Sequence, residues 1–253
     1  MEALSVRGVH ALFDLAGERL SDGRTIAPKR LLRCGFPGPA HSVSADRLRR
    51  SVTTVVDLRS PCEIAKRPGV MSGHPRTDLH QISVGGDATR PGFGACDSLV
   101  QLYPLLLDRY AVQVRTVVEI IAGAAGGTLV HCQTGRDRTG LVVGVALRLA
   151  GVTDEVILTR HREAAEQLTD YVAQRRLRWQ RKGRDVQVFD AVNSHADQAL
   201  CSAFDWIDDR FGGTAQYLAA HGADPDLPAR LAATLERPGT AGSPAREGDR
   251  DDC

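Results

Sequence analysis

The sequence predicts an α/β fold in which a central strand delivers a cysteine at its C-terminal end. Three observations predict it. Apolar, β-branched runs alternate with helical patterns up to about residue 150. Helical patterns alone follow from residue 153. Between them, Thr128-Leu129-Val130 reads as a buried strand, a glycine-bearing loop follows, and Leu141–Leu147 reads as an apolar helix.

The elements follow in order. After an irregular start with a turn at Ser21-Asp22-Gly23-Arg24, Arg30–Cys34 reads as a strand. Ser44 is placed to cap a short helix through Arg50, and Thr53–Leu58 reads as a central strand. His80–Val84 is another strand candidate; residues 85–96 are a glycine-rich loop on the rim of the site. Apolar residues from Leu99 to Ile121 recur at three and four, which predicts a long amphipathic helix with a break near Pro104. In this reading Tyr103 belongs to a core stripe. Gly151 ends the loop helix and Thr153 starts the next. Leu200, Ala203, Phe204, Ile207 and Phe211 mark a further helix, Thr214 caps another, and a last one opens at Asp226 and Pro228 and ends near Glu236. Residues 1–236 are expected to form one domain, its helical cap or lid covering about 153–236, with 237–253 a disordered tail.

The chemistry concentrates at His131-Cys132-Gln133-Thr134-Gly135-Arg136-Asp137-Arg138-Thr139-Gly140. Loop N–H groups that point inward form a nest, and a helix N-terminus adds positive potential, so strand, loop and helix make an anion site. Arg138, six residues after Cys132, can grip two phosphate oxygens at once. The same field favours the thiolate of Cys132, the nucleophilic form.

This segment resembles the HCxxGKDRTG loop of a bacterial and fungal tyrosine-phosphatase family (tyrosine/serine-phosphatase-like and related to dual-specificity enzymes). Its members act on phosphoproteins and some on phosphoinositides. The resemblance implies a cysteine-phosphatase-like central sheet flanked by helices. It further implies phosphomonoester hydrolysis through a cysteinyl-phosphate, with Cys132 as nucleophile, Asp137 as general acid, and Gln133, Thr134, Gly135, Arg136 and Arg138 binding phosphate. His131 would organise the loop, and Thr139 would hydrogen-bond the thiolate. The family's NFRDLGG segment reads Ala11-Leu12-Phe13-Asp14-Leu15-Ala16-Gly17 here, without its Asn and Arg; Arg136 stands where the family has Lys. Asp57 and Arg59 match the family's Asp-Leu-Arg segment and have two readings, a structural ion pair or direct support of catalysis. Asp87, from the rim loop, is a further acid candidate or a solvated turn residue.

Composition sets the bounds. The 253 residues are 42% hydrophobic and 25% charged with net charge +1, which gives no reason to expect nucleic acid as partner. The N-terminus lacks the apolar run of a secretory signal, no run is long enough to span a membrane, and the scattered six cysteines suit a reducing, cytoplasmic setting. No metal or cofactor is expected, since loop dipoles and Arg138 already neutralise phosphate. Arg175, Arg176, Arg178, Arg181, Lys182 and Arg184 form either a solvated helix face or a basic lid that attracts anionic substrate. The substrate is expected to be a phosphorylated protein, a phosphoinositide or a small phosphate ester. A small-molecule phosphatase, a rhodanese-like sulfurtransferase and an inactive phosphate-binding module are the rival readings.

Overall fold

A computed structural model describes residues 2–3, 9–37, 52–69, 77–85, 98–191, 193 and 196–237. The proposed Ser44–Arg50 helix, Asp87 with most of its loop, and 238–253 lie outside the described residues. The fold is α/β as expected. Its sheet has six strands in the order β1-β2-β3-β6-β4-β5. These are β1 (Glu2–Ala3), β2 (Phe13–Asp14), β3 (Leu31–Cys34), β4 (Thr54–Asp57), β5 (Asp78–Gln81) and β6 (Thr128–His131). The last four in this spatial order are mutually parallel, while β1 and β2 add an antiparallel edge.

Register is what places the site. Cys34 on β3 and Asp57 on β4 both pair with His131 on β6, so three neighbouring strands end at one level. The residues just beyond them, Gly35, Leu58 and Cys132, therefore meet at the carboxyl edge, where ligands bind in such sheets. Pairing with β4 also corrects the strand expected at 80–84. It runs over Asp78–Gln81, because the partners of Thr54 and Asp57 are Asp78 and Gln81.

Ten described helices flank the sheet: α1 (Pro61–Lys66), α2 (Leu99–Arg109), α3 (Ala111–Gly123), α4 (Asp137–Leu149), α5 (Asp154–Glu166), α6 (Thr169–Arg181), α7 (Val186–Ala191), α8 (Ala196–Phe211), α9 (Thr214–Ala220) and α10 (Leu227–Glu236). The expected 99–121 helix is divided, but at Tyr110 and not at Pro104. Proline removes the N–H that would bond the carbonyl four residues back. That carbonyl, on Val100, instead accepts a hydrogen bond from Ser202 Oγ at 3.3 Å, so α2 runs through. Between α3 and β6, the buried Arg30 guanidinium donates to the carbonyls of Ala124, Ala125 and Gly126, fixing where β6 begins.

Side chains alternate across the sheet. Val56 and Val130 enter a large core with α2–α4 and α8–α10, whereas Val55 and Leu129 join Leu12, Leu32, Cys34 and Val52 on the other face. Helix α4 is buried continuously from Thr139 to Leu147. It ends as expected at Gly151, whose φ of +87° suits a left-handed residue, while the Val152 N–H closes back onto Leu147 O at 3.0 Å.

The C-terminal helices divide by role. α8 packs on α2, and α10 on α3, as part of the main helical layer. α6 and α7 make a hairpin at its margin, joined by Trp179 against Phe189 and by an Arg176–Asp190 ion pair of 2.7 Å. Arg184 lies over the Trp179 ring at 4.7 Å, and Arg175, Arg178, Arg181 and Lys182 face solvent.

His161 on α5 is wholly buried, and neither ring nitrogen has a well-formed hydrogen bond among the described residues, the Ala196 backbone being only a weak contact. It packs on α4 where Gly140 leaves room, since a Cβ there would lie 2.3 Å from Nδ1. Burial first, and the neighbouring Arg33 second, push its pKa down from 6.5 to about 3. The folded protein thus refuses a proton that the unfolded chain accepts. The stability contribution is complete above pH 6.5 and is lost as pH falls toward 3. His161 should account for about 2 kcal/mol of the stability lost between about pH 6.5 and pH 5. Urea denaturation at both pH values should show that loss shrinking by this amount in His161→Leu; an unchanged slope would contradict it.

Candidate active site

The strand–loop–helix unit is β6, Cys132–Arg136 and α4. Cys132 lies at the loop floor, 1% exposed, and its Sγ accepts the Gly135 N–H at 3.3 Å. The loop needs glycine at 135. Its φ is +78°, and a Cβ would come within 2.4 Å of the Cys34 backbone. The turn after β3 closes against it, with Phe36 N–H donating to Gln133 O at 3.2 Å. Gln133 and Thr134 thus contribute backbone to the loop wall.

Beneath the loop lies Arg33, 2% exposed, whose Nη2 donates to Gly135 O at 2.7 Å and more weakly to Arg136 O at 3.4 Å. With these carbonyls turned toward Arg33, the N–H groups of Arg136 and Asp137, across the same trans peptides, face the opposite way. Burial lowers the Arg33 pKa to about 10, which leaves it a cation near neutral pH.

Arg138, in the first turn of α4, is gripped by Glu63 through two bonds, Nη1 to Oε2 at 2.7 Å and Nη2 to Oε1 at 2.8 Å. Glu63 is itself fixed by a capping box: its Oε2 accepts the Ser60 N–H at 2.9 Å, and its own N–H donates to Ser60 Oγ at 3.3 Å. Burial raises the Glu63 pKa, but the bonds and charge of Arg138 outweigh it and hold the carboxyl below its ordinary range. In return Arg138 is held firmly protonated against its own burial.

Asp57 and Arg59 follow the structural reading. Arg59 Nε and Nη2 donate to Asp57 Oδ1 and Oδ2 at 2.9 and 2.6 Å, both residues are buried, and the guanidinium lies 4.0 Å over the Phe36 ring. His131 Nδ1 lies 3.3 Å from Cys132 O and 3.7 Å from Asp57 Oδ1, and burial lowers its pKa. The ring thus lies between the Cys132 backbone carbonyl and the Asp57 carboxylate.

Two expectations shift. Arg136 turns away from the loop centre: its Nε donates to Asp137 Oδ1 at 2.9 Å, and its Nη1 and Nη2 reach Asn193 O and Oδ1 at 3.3 and 3.2 Å. In this ligand-free arrangement its side chain holds Asp137. Thr139 Oγ1 is buried without a hydrogen-bond partner among the described residues, so it makes no bond to Sγ in this state. Tyr103, read as core, also reaches the site, its hydroxyl donating to Asp137 Oδ1 at 2.9 Å.

Sequence reasoning passed over Glu63, Arg33, Tyr103 and Asn193. For Glu63 a signal was present, since Ser60-Pro61-Cys62-Glu63 is a capping-box pattern directly after the Asp-Leu-Arg segment. Arg33 stood in the strand-end Arg33-Cys34-Gly35 segment without being given a role, and Tyr103 and Asn193 carry no local signature. Among the described residues no cluster of three or more His, Cys, Asp or Glu is placed to hold a metal, and no helix is long and apolar enough to cross a membrane.

Fold and site together define an α/β protein with a Cys-x5-Arg loop at the carboxyl edge of a parallel sheet. The chain belongs to the tyrosine phosphatase family, which it matches over residues 4–236. It is similar to a tyrosine-protein phosphatase of Nostoc commune, 33% identical over 118 residues that make up 45% of this chain and 40% of that one. A Cupriavidus necator protein named provisionally as a tyrosine-protein phosphatase is 31% identical over 182 residues, 64% of this chain and 66% of its own. The matches thus span less than two thirds of either relative.

Glu63→Ala should leave the Arg138 fork free to rotate while Cys132 stays in place. With the phosphate grip misaligned, kcat/KM on a phosphate ester should fall about 10- to 100-fold. Unaltered kinetics would mean that Arg138 is held by other means.

Proposed function

We propose that this protein hydrolyses phosphomonoesters without a metal, through a cysteinyl-phosphate, and that phosphotyrosine in proteins is its principal substrate. One observation carries the reading: the Cys132 thiol sits under an N–H-lined loop and the α4 N-terminus, with Arg138 locked beside it by Glu63. Family membership and the names of the two relatives support the same chemistry.

In the first step the Cys132 thiolate attacks phosphorus in line. The S–P bond forms as the P–O bond to the leaving group breaks, and Asp137 gives that oxygen a proton. Loop N–H groups and Arg138 hold the equatorial oxygens, whose charge they stabilise in the transition state. In the second step water attacks phosphorus, Asp137 takes back a proton, and the S–P bond breaks to release inorganic phosphate and the thiolate.

Asp137 is the acid best supported by position. Asp57 is closed off by Arg59 and buried, so it cannot meet a leaving group. In the ligand-free site, burial raises the Asp137 pKa, but the Arg136 charge and the bonds from Arg136 and Tyr103 outweigh it and keep the group ionised. A phosphate dianion arriving beside Asp137 opposes that, since like charge favours the neutral carboxyl. The acid would thus be armed by its own substrate.

Cys132→Ser should abolish turnover, by about a thousandfold or more, while still binding vanadate or phosphate. Residual activity within tenfold of wild type would reject the cysteine as nucleophile. EDTA should have no effect on the wild type, whereas a requirement for divalent metal would point to other chemistry.

Asp137→Asn should slow alkyl or phenyl phosphates far more than p-nitrophenyl phosphate, whose leaving group needs no proton. Equal losses on both would assign Asp137 a structural role. Assayed on phosphopeptides, phosphoinositides and small esters, the wild type should favour phosphotyrosine peptides. A hundredfold preference for a nucleotide or sugar phosphate would replace that substrate.

A further inference from the structure

We propose that Tyr103 is a positioning residue for Asp137: its hydroxyl and the Arg136 Nε together occupy Oδ1, leaving Oδ2 to carry the proton delivered to the leaving group. The inference rests on Asp137 being the acid, as argued above, and adds which oxygen acts and what aims it.

Both donors converge on Oδ1 at 2.9 Å, and Oδ2 has no partner among the described residues. A carboxyl oxygen that already accepts two hydrogen bonds has no lone pair well placed for a proton, so protonation goes to the other oxygen. The Asp137 side chain keeps 27% exposure, whereas Tyr103 is wholly buried and the Arg136 side chain only 8% exposed. The donors are thus fixed behind the carboxyl, and its open part is left toward the site. Tyr103 cannot turn aside, because its ring lies edge-on to buried His161 at 6.2 Å within the core of α2. Arg136 is anchored from its other end by Asn193.

The charged and titratable groups around Asp137 are Arg136 and Arg138 beside it in sequence, Arg33 from β3, Tyr103 from α2 and His161 from α5. His161 stays neutral over the working range, and burial first, with the Asp137 charge second, keeps the Tyr103 phenol protonated. Tyr103 is therefore a donor at every relevant pH. Both of its effects act through Asp137: it aims Oδ2, and it favours the carboxylate. Removing the hydroxyl should release the orientation and let the acid hold its proton to higher pH.

Tyr103→Phe keeps the ring and its packing. On phenyl phosphate its kcat should fall about 5- to 20-fold with KM little changed, and the fall should be much smaller on p-nitrophenyl phosphate. The high-pH limb of its kcat profile should move to higher pH. In the Asp137→Asn background the same substitution should cost nothing further. Equal losses on both esters, an unmoved limb, or a full additional loss in the double variant would overturn the role of Tyr103. In those cases a leaving-group effect retained in Asp137→Asn alone would leave the acid in place. Absence of that effect in Asp137→Asn would overturn acid and positioning residue together. A merely structural hydroxyl would lower Tm and leave the pH limb where it was.

Discussion

A guanidinium buried under the loop is the constraint on which the site depends. Arg33 gives up nearly all its hydration to point one nitrogen at the Gly135 and Arg136 carbonyls. Desolvating an arginine is costly unless its donors are satisfied. Carbonyl oxygens bind its Nη2 without neutralising it, while Nε has no partner among the described residues, so a full positive charge stays close beneath Cys132 and Asp137. The same bonds hold the two peptides that follow Gly135, while the Gly135 N–H itself donates to the sulfur. Without Arg33 the Gly135 carbonyl would lose its side-chain donor, whereas the Arg136 carbonyl would keep the Gly140 N–H.

The other cations are handled differently, and the contrast explains their roles. Arg59 is consumed by Asp57 in a sealed pair that braces the end of β4 and supports His131. Arg138 is tied to Glu63 at the margin of the site, where the pair keeps partial exposure, at 14% and 29%. There a carboxylate can orient the fork without burying it out of reach. Arg136 is paired with Asp137 and thereby linked through Asn193 to the hairpin of α6 and α7. Three arginines of similar sequence prominence thus pair with Asp57, Glu63 and Asp137 respectively, and partner geometry alone divides them.

Glycines allow these partners to converge. Gly135 lets the loop close on the end of β3, and Gly140 lets the His161 ring reach α4, each at a separation that no Cβ would permit. Gly144 packs closely on Phe204 of α8, where a Cβ would lie 3.2 Å from the ring and the ring would have to give a little. The helical layer is therefore drawn onto the very helix whose N-terminus faces the loop. Through that contact Tyr103 and His161 stand behind Asp137.

The sequence by itself determined the strand–loop–helix unit, the Cys132–Arg138 spacing and the alternation of elements, because each is set by neighbours within a dozen residues. It placed most helices, with Gly151 and Asp226 as their limits, through turn chemistry that is local too. Tertiary structure decided what periodicity cannot encode. Strand β5 slid to Asp78–Gln81 because its partner fixes its register, and Pro104 was absorbed because Ser202, far along the chain, satisfies the abandoned carbonyl. Tyr103 looked like core because it is core; only its last atom belongs to the site, and no spacing in the sequence marks an atom. Glu63 was half legible, since its capping box is local but its grip on Arg138 spans 75 residues. The division follows the range of the forces: motif and propensity act along the chain, whereas the pairing of buried charges depends on which side chains the packed sheet and helices bring together.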